Sequence, residues 1–198
     1  MENKYTVTYK VAPIGSSYVY KYSDEKHNAG DKVTSISGHM WYVLSDGSGN
    51  EKSYGFESKN GYPFDNGHLT DADDYAYQTT STEITIALTE QQYNNLVDFS
   101  ADPNSVGFNT NNYNVLTNSC VDFVYNSLKV IGYSENGNEG RLTPAGNVKA
   151  LHNILYFNGA QIIRDNLMRN GDCYEQKILM AAYGLARRKK HPALRQIT

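Results

Sequence analysis

The pattern of apolar and polar positions divides the chain into segments that alternate and segments with helical spacing. Strict alternation over residues 5–11 and 82–88 predicts two half-buried strands. Residues 37–44 and 51–57 are rich in aromatic and branched side chains, and a polar Gly/Asp/Ser/Asn cluster separates them. These two segments therefore predict a β-hairpin with a longer loop.

Alternation also assigns the side chains of this hairpin to its two faces. His39 and Trp41 fall on one face, and Met40 and Tyr42 fall on the other. If the two arms pair symmetrically about the loop, Glu57 lies opposite His39 on the same face. A carboxylate there would hold the imidazole in one tautomer, whereas a slip of one residue would send Glu57 to the other face.

The most informative helical pattern begins at a cysteine. Apolar residues recur at helical spacing over residues 120–128, and Gly132 supplies a stop just past the end. Asn118 or Ser119 can cap the start, which places Cys120 in the first turn. The unpaired N–H groups and the helix dipole there favour a thiolate and can hold an oxyanion. The alternative interpretation is a buried core residue, since free cysteine is among the most buried residue types.

Two other helices carry recognisable start signals. Thr89 and Gln92 have the form of a capping box, which predicts a helix over residues 90–99. Thr143 followed by Pro144 predicts a second helix that runs to about residue 155. His152 lies one residue away from the apolar stripe of that helix, and we interpret it as structural.

The segment 158–198 differs in composition from the rest of the chain. Residues 161–168 and 174–188 show helical patterns, and the second ends in the basic run at 187–191. A basic helix end complements its own dipole; the alternatives are contact with an anionic membrane surface, a partner protein or a small stretch of nucleic acid. We therefore predict a domain at 1–157 and a helical C-terminal extension at 158–198.

Residues 58–80 are predicted to form a long loop, and such loops often line a site. The acidic cluster at 71–74 lacks the spacing and the central glycine of a calcium loop, so we expect an exposed acidic turn. His68 has no second ligand at metal spacing, and we expect no metal site there.

The chain also contains no Gly-rich phosphate loop, no His-Glu-x-x-His and no Cys-x-x-Cys, so we expect no cofactor.

Composition and charge narrow the possible kinds of protein further. The chain has 198 residues and a formal net charge of −3, which indicates one domain with or without an appendage and gives no general attraction to nucleic acid. The 17 tyrosines suit contact with carbohydrate or peptide, and they equally mark a β-rich protein.

No apolar signal-peptide core follows Met1, and no run of apolar residues is long enough to cross a membrane.

We therefore expect synthesis in the cytoplasm without a Sec signal and export, if any, by a leaderless route. In a reducing cytosol Cys120 and Cys173 would both be free thiols, and Cys173 is expected to be inert.

Three short motifs carry a resemblance to a known family. Gly38-His39 begins the hairpin, Tyr54-Gly55-Phe56 lies on its return arm, and Asn118-Ser119-Cys120 opens a helix. Together, over roughly residues 5–155, they resemble the circularly permuted papain-like hydrolases. This NlpC-like group includes the lecithin:retinol acyltransferase relatives, and the chain is most similar to bacterial toxic effectors of contact-dependent secretion, such as type VI secretion.

The resemblance implies an α+β fold of the permuted papain-like type, in which an antiparallel sheet packs against the nucleophile helix. It also implies that Cys120 is the nucleophile and His39 is the general base. The family pattern has no unambiguous match for the third, orienting residue. Glu57 is the choice on geometric grounds, and Ser53 comes after it.

The function that follows from this resemblance is a cysteine hydrolase that cleaves an amide bond in a peptidoglycan stem peptide. It would act as an antibacterial toxin in the target-cell periplasm, with a cognate immunity protein and a secretion carrier as partners. One alternative is an acyl hydrolase or acyltransferase acting on lipid with the same residues. The other is a catalytically inactive papain-like module that binds a partner.

Overall fold

The computed structural model describes residues 4–23, 26–135, 137 and 142–167. Ten strands and four α-helices are found in this part of the chain. The strands are β1 Tyr5–Ala12, β2 Ser17–Val19, β3 Lys32–Thr34, β4 His39–Ser45, β5 Glu51–Ser58, β6 Phe64–Asp65, β7 Gly67–Thr70, β8 Thr82–Leu88, β9 Tyr113–Asn114 and β10 Ile162–Leu167. The helices are α1 Asp73–Ala76, α2 Glu90–Ala101, α3 Cys120–Val130 and α4 Val148–Phe157, with short 3-10 turns at Pro103–Val106 and Pro144–Asn147.

One six-stranded sheet organises these elements. Its strand order is β10-β8-β1-β4-β5-β7, and the neighbouring strands pair in antiparallel fashion. Two small two-stranded sheets, β2–β3 and β6–β9, lie outside it. The protein is therefore of the α+β class with an antiparallel sheet, as the sequence predicts.

The main hydrophobic core lies between one face of this sheet and the helices. Tyr42 from β4, Phe99 from α2 and Phe123 from α3 are at most 1% exposed and belong to this cluster. A smaller cluster on the opposite face contains Trp41 from β4 and Tyr77 at the end of α1. The two clusters separate residues 40 and 42 from residues 41 and 43, so the alternation predicted for the hairpin is confirmed.

Most of the predicted elements are present with nearly the predicted bounds. The strands β1, β4, β5 and β8 and the helices α2 and α3 are confirmed. The helix predicted from residue 144 begins with a 3-10 turn and becomes α-helical only at Val148. The interval 58–80 is not structureless, since it holds β6, β7 and α1.

The helix predicted over residues 161–168 is wrong, because Ile162–Leu167 forms the edge strand β10. This segment pairs with β8, for example Asp165 with Ile84. The local spacing favours a helix, but the open edge of β8 offers a row of unpaired N–H and C=O groups that β10 satisfies. The first compact unit runs to Leu167 and includes this strand. Cys173 and the helix predicted over 174–188 lie outside the described residues.

Within the described part of the chain, no helix combines the length and the apolar character needed to cross a membrane.

The capping box of α2 provides a test of the helix assignment. Thr89 Oγ1 accepts a hydrogen bond from the Gln92 backbone N–H at 3.2 Å, and Gln92 Oε1 accepts one from the Thr89 N–H at 3.0 Å. We expect Thr89→Ala to lower the free energy of unfolding by about 1 kcal/mol, because one helix-start N–H loses its partner. Urea denaturation measures this, and Thr79→Ala in an exposed loop should leave the midpoint unchanged.

Candidate active site

The start of β4 positions His39. Gly38 precedes it with φ +74°, a left-handed conformation that favours glycine. A side chain at Gly38 would overlap the carbonyl oxygen of Ala12, the residue that pairs with His39 across the β1–β4 ladder. The Gly38-His39 motif therefore lets the chain enter the sheet at this point with the imidazole on the face of the smaller cluster. His39 is only 4% exposed there.

The start of α3 positions Cys120. Ser119 is the N-cap, and its Oγ accepts a hydrogen bond from the Val121 backbone N–H at 3.2 Å. The Asp122 carboxylate in turn accepts hydrogen bonds from the Ser119 backbone N–H and hydroxyl, both at 2.8 Å. This capping box makes Cys120 the first helical residue, as the sequence predicts, and the residue is 5% exposed.

The fold brings Cys120 and His39 together, although they are far apart in the sequence. The Cys120 thiol is within hydrogen-bond reach of the imidazole and raises its pKa. The imidazole Nε2 faces a carboxylate, which leaves Nδ1 as the ring nitrogen available to the thiol. The cysteine and the histidine proposed from the motifs are thus neighbours in the fold.

The carboxylate that contacts His39 belongs to Asp73. Nε2 of His39 and Oδ1 of Asp73 lie 2.8 Å apart, and the two side chains are 5% and 1% exposed. The two atoms form a short ionic contact. Neither atom has another hydrogen-bond partner within the described residues. Each group therefore depends on the other for compensation of its buried charge.

Three features hold Asp73 in this place. It is the first residue of the short helix α1, and the backbone N–H of the next residue, Asp74, donates to Ser53 Oγ at 3.2 Å. Gly55 on β5 faces the Asp73 carboxylate so closely that an added methyl group would lie 2.8 Å from its Cγ. The Tyr54-Gly55-Phe56 motif therefore has a physical role, because the absent side chain makes room for the carboxylate.

Asp73 was missed by the sequence reasoning, which assigns residues 71–74 to an exposed acidic turn. That expectation holds for Asp71 and Asp74 but is wrong for Asp73. A usable signal was present, since Ala72 and Ala76 are small apolar residues at helical spacing around it, and both are buried. Together with a glycine on the neighbouring strand, this pattern indicates a turn that packs against a sheet.

Glu57, the residue chosen on geometric grounds, lies near His39 without bonding to it. The β4–β5 ladder has the predicted symmetric register, with Tyr42 opposite Tyr54, but its pairing ends there. Beyond that point β5 pairs with β7, and Glu57 lies opposite His68. The orienting contact to His39 thus comes from Asp73 and not from Glu57 or Ser53.

The charges of the site act on one another. Burial by itself lowers the pKa of His39, but the Asp73 carboxylate, Tyr77 and the hydrogen bond to Cys120 raise it, and the net pKa lies well above the usual value. Burial and the charge of Asp73 raise the pKa of Glu57 to about 7, and His39 opposes this rise. The site therefore favours a protonated imidazole next to the thiol.

Aromatic rings enclose the pair. The Tyr77 ring stacks on His39 with centroids 5.1 Å apart, and Tyr18 meets Tyr77 edge-on at 5.1 Å. Burial, the charge of Cys120 and that of Glu57 raise the pKa of Tyr113, which lies on β9, while His39 opposes the rise. These rings exclude water around the imidazole and strengthen its interaction with Asp73.

A groove of about 530 Å³ lies next to the start of α3. It is lined by Val115, Leu116, Ser119, Val121, Asp122, Leu142 and Thr143. The groove includes both chain neighbours of Cys120 but not Cys120 itself.

Other chemistry-bearing residues lie apart from this cluster. His68 is exposed on β7, and His152 on α4 lies 3.5 Å from the Asp165 carboxylate. Among the described residues, no group of three potential ligand side chains is arranged to hold a metal ion. Cys120 is a free thiol.

No family model, no curated protein and no solved structure matches the chain.

The contact between Gly55 and Asp73 can be tested by a double-mutant cycle. We expect Gly55→Ala to lower the free energy of unfolding by about 1–3 kcal/mol, because the new methyl group overlaps a buried carboxylate. In an Asp73→Ala background, the same substitution should cost much less. Equal costs of Gly55→Ala in both backgrounds, measured by urea denaturation, would contradict the arrangement.

The raised pKa of His39 predicts a pH dependence of stability. Because the folded state holds the proton more tightly, the stabilisation is fully present below the unfolded value near 6.5 and is lost as the pH rises through the folded pKa. We therefore expect the difference in unfolding free energy between the wild type and Asp73→Asn to shrink steadily above about pH 6.5. Urea denaturation between pH 6 and 9 measures it; a difference independent of pH would contradict the assignment.

Proposed function

We propose that this protein is a cysteine hydrolase that cleaves an amide bond. The observation that carries the proposal is the buried series Cys120–His39–Asp73, in which a thiol at a helix start meets an imidazole that is held by a carboxylate. A nucleophile, a base and an orienting group in contact are the signature of activated nucleophilic catalysis. Each of the three comes from a different element, namely α3, β4 and α1.

The geometry supports the following reaction. His39 takes the thiol proton, and the Cys120 thiolate attacks the substrate carbonyl carbon, which turns the carbonyl oxygen into an oxyanion. The start of α3, where the helix dipole is positive and N–H groups lack intrahelical partners, would stabilise that charge. As the tetrahedral intermediate collapses, the C–N bond breaks and His39 gives its proton to the leaving amine. His39 then removes a proton from water, which hydrolyses the thioester and restores the thiol.

Asp73 acts on this cycle through His39. Its carboxylate keeps the ring oriented with Nδ1 toward Cys120 and stabilises the imidazolium that forms in each half of the reaction. The aromatic enclosure by Tyr77 and Tyr18 keeps the pair in a poorly hydrated environment, where this charge interaction is stronger than in water.

We propose a peptidoglycan stem peptide as the substrate, with the protein acting as an antibacterial effector in the periplasm of a target cell. The support is the resemblance of the Gly38-His39, Tyr54-Gly55-Phe56 and Asn118-Ser119-Cys120 motifs to papain-like effector toxins. An immunity protein that blocks the site and a secretion carrier would then be the natural partners.

A second candidate function, hydrolysis or transfer of a lipid acyl group, is favoured by the groove next to α3. Leu116 and Leu142 line it and are 56% and 58% exposed, although large apolar side chains gain free energy from burial. An apolar chain in that groove would cover both residues. The same three residues would carry out the chemistry, since thioester formation from an ester follows the same course.

Product analysis separates these functions. We expect wild-type protein to release muropeptides from purified sacculi, and Cys120→Ala to release none. His39→Ala should reduce the rate about 10²–10⁴-fold, since it removes the acid–base group, and Asp73→Asn should cause a smaller loss. Fatty-acid release from phospholipid vesicles, with the same dependence on Cys120, would instead establish the lipid function.

Matched controls keep this experiment specific. Cys173→Ala tests the second cysteine, and Asp74→Asn repeats the Asp73 substitution at a neighbouring exposed carboxylate that pairs with Lys10. Both controls should retain wild-type rates. Activity or toxicity that survives Cys120→Ala unaltered would exclude Cys120 as the nucleophile, and binding to a partner without turnover would indicate an inactive module.

A further inference from the structure

A second carboxylate, that of Glu57, lies in the site without an assigned role. It is on the same face of β5 as Gly55, two positions further along the strand, and Gly55 is the residue against which the Asp73 carboxylate packs. The β4–β5 ladder ends at Tyr42 and Tyr54, but the charge of His39 still acts on Glu57 across this face of the sheet. Glu57 is half-buried, and no residue of the described chain forms a hydrogen bond with its carboxyl group.

We propose that Glu57 is an electrostatic positioning residue, whose negative charge keeps His39 protonated beside the Cys120 thiolate. The role differs from that of Asp73, which touches the ring and orients it. Glu57 makes no such contact with the ring and acts on it only through the electrostatic effect of its charge. The influence of Glu57 on His39 rests on their place on one face of the sheet and on the charges there, and only its consequence for catalysis rests on the proposed function.

Glu57 lies on the face of the sheet that carries the base, whereas Cys120 packs in the main core cluster. The charges that shift the pKa of Glu57 are those of Asp73 and His39. A negative charge placed closer to the imidazole than to the sulfur stabilises imidazolium more than it destabilises thiolate. The net effect therefore favours the charged pair over the neutral thiol and imidazole.

Other titratable groups surround Glu57, and they must be considered together. Seven of them face it from the neighbouring elements: Tyr18 on β2, His39 on β4, His68 on β7, Asp73 and Tyr77 in and after α1, Tyr113 on β9, and Cys120 on α3. Burial raises the pKa values of the three tyrosines, so they remain neutral near pH 7. The other ionisable groups around Glu57 are Asp73, His39, Cys120 and the exposed His68.

The pKa of Glu57, about 7, makes this effect dependent on pH in the range where the protein would work. Below that pH the carboxyl is protonated and neutral, and above it the carboxylate supports the imidazolium. The sign is fixed by Coulomb's law, since removing the negative charge lowers the pKa of His39. The charged pair then loses its proton at a lower pH, which moves the alkaline limit of activity downward.

NMR titration of the histidine rings tests the proposal without any substrate. In labelled full-length protein, the His39 signal is identified by its loss in His39→Ala. We expect Glu57→Gln to lower the His39 titration midpoint by about one pH unit, because it removes a charge at close range. Glu51→Gln, an exposed carboxylate at the start of the same strand, should leave the midpoint unchanged. An unchanged midpoint in folded Glu57→Gln would overturn the proposal.

If Glu57→Gln does not fold, the reciprocal measurement decides, because the coupling between two sites is mutual. His39→Ala should then raise the pKa of Glu57, followed by the signal of its labelled carboxyl carbon, and no rise would refute the coupling.

Turnover on sacculi or vesicles adds the catalytic readout, in which the alkaline limb of the Glu57→Gln profile should move down with the His39 midpoint. A His39 shift without turnover by any form of the protein would reject the proposed function and leave the coupling standing. If the wild type turns over substrate and Glu57→Gln has the same pH profile, the proposed function stands and the proposed role of Glu57 is rejected.

Discussion

The buried contact between His39 and Asp73 is the interaction on which the rest of the site depends. Two ionisable groups that are almost fully removed from water lie 2.8 Å apart, with no other hydrogen-bond partner for the contacting atoms in the described chain. Either group alone would be strongly destabilising at this depth, so the fold tolerates them only as a pair. Such a contact is weak evidence for a purely structural role, because well-packed apolar side chains would serve stability at least as well.

The surroundings of this pair follow from the need to place it there. Gly38 allows the chain to enter β4 at the end of β1, and Gly55 leaves space for the Asp73 carboxylate. Ser53 holds the backbone of α1, and the Tyr77 ring covers the imidazole. Each of these positions would be unremarkable by itself. Together they bring a carboxylate, an imidazole and a thiol next to one another.

On the role proposed for Glu57, two carboxylates act on one imidazole. Asp73 contacts the ring, whereas Glu57 lies on the neighbouring strand with a pKa of about 7. The first would act by contact and the second by its charge, and both favour the protonated imidazole beside Cys120.

The sequence by itself determined the hairpin with His39 at its start and the helix that begins at Cys120, because alternation, capping residues and glycine stops act over a few neighbouring residues. Only the tertiary structure showed that the carboxylate in contact with His39 is that of Asp73 and not that of Glu57, since α1 is short and the space for Asp73 depends on a glycine in another strand. It also decided that Ile162–Leu167 is a strand, because the open edge of β8 outweighs a local helical pattern. Residues close together in the sequence determine the helices and strands, and packing between elements far apart in the sequence determines which side chains meet.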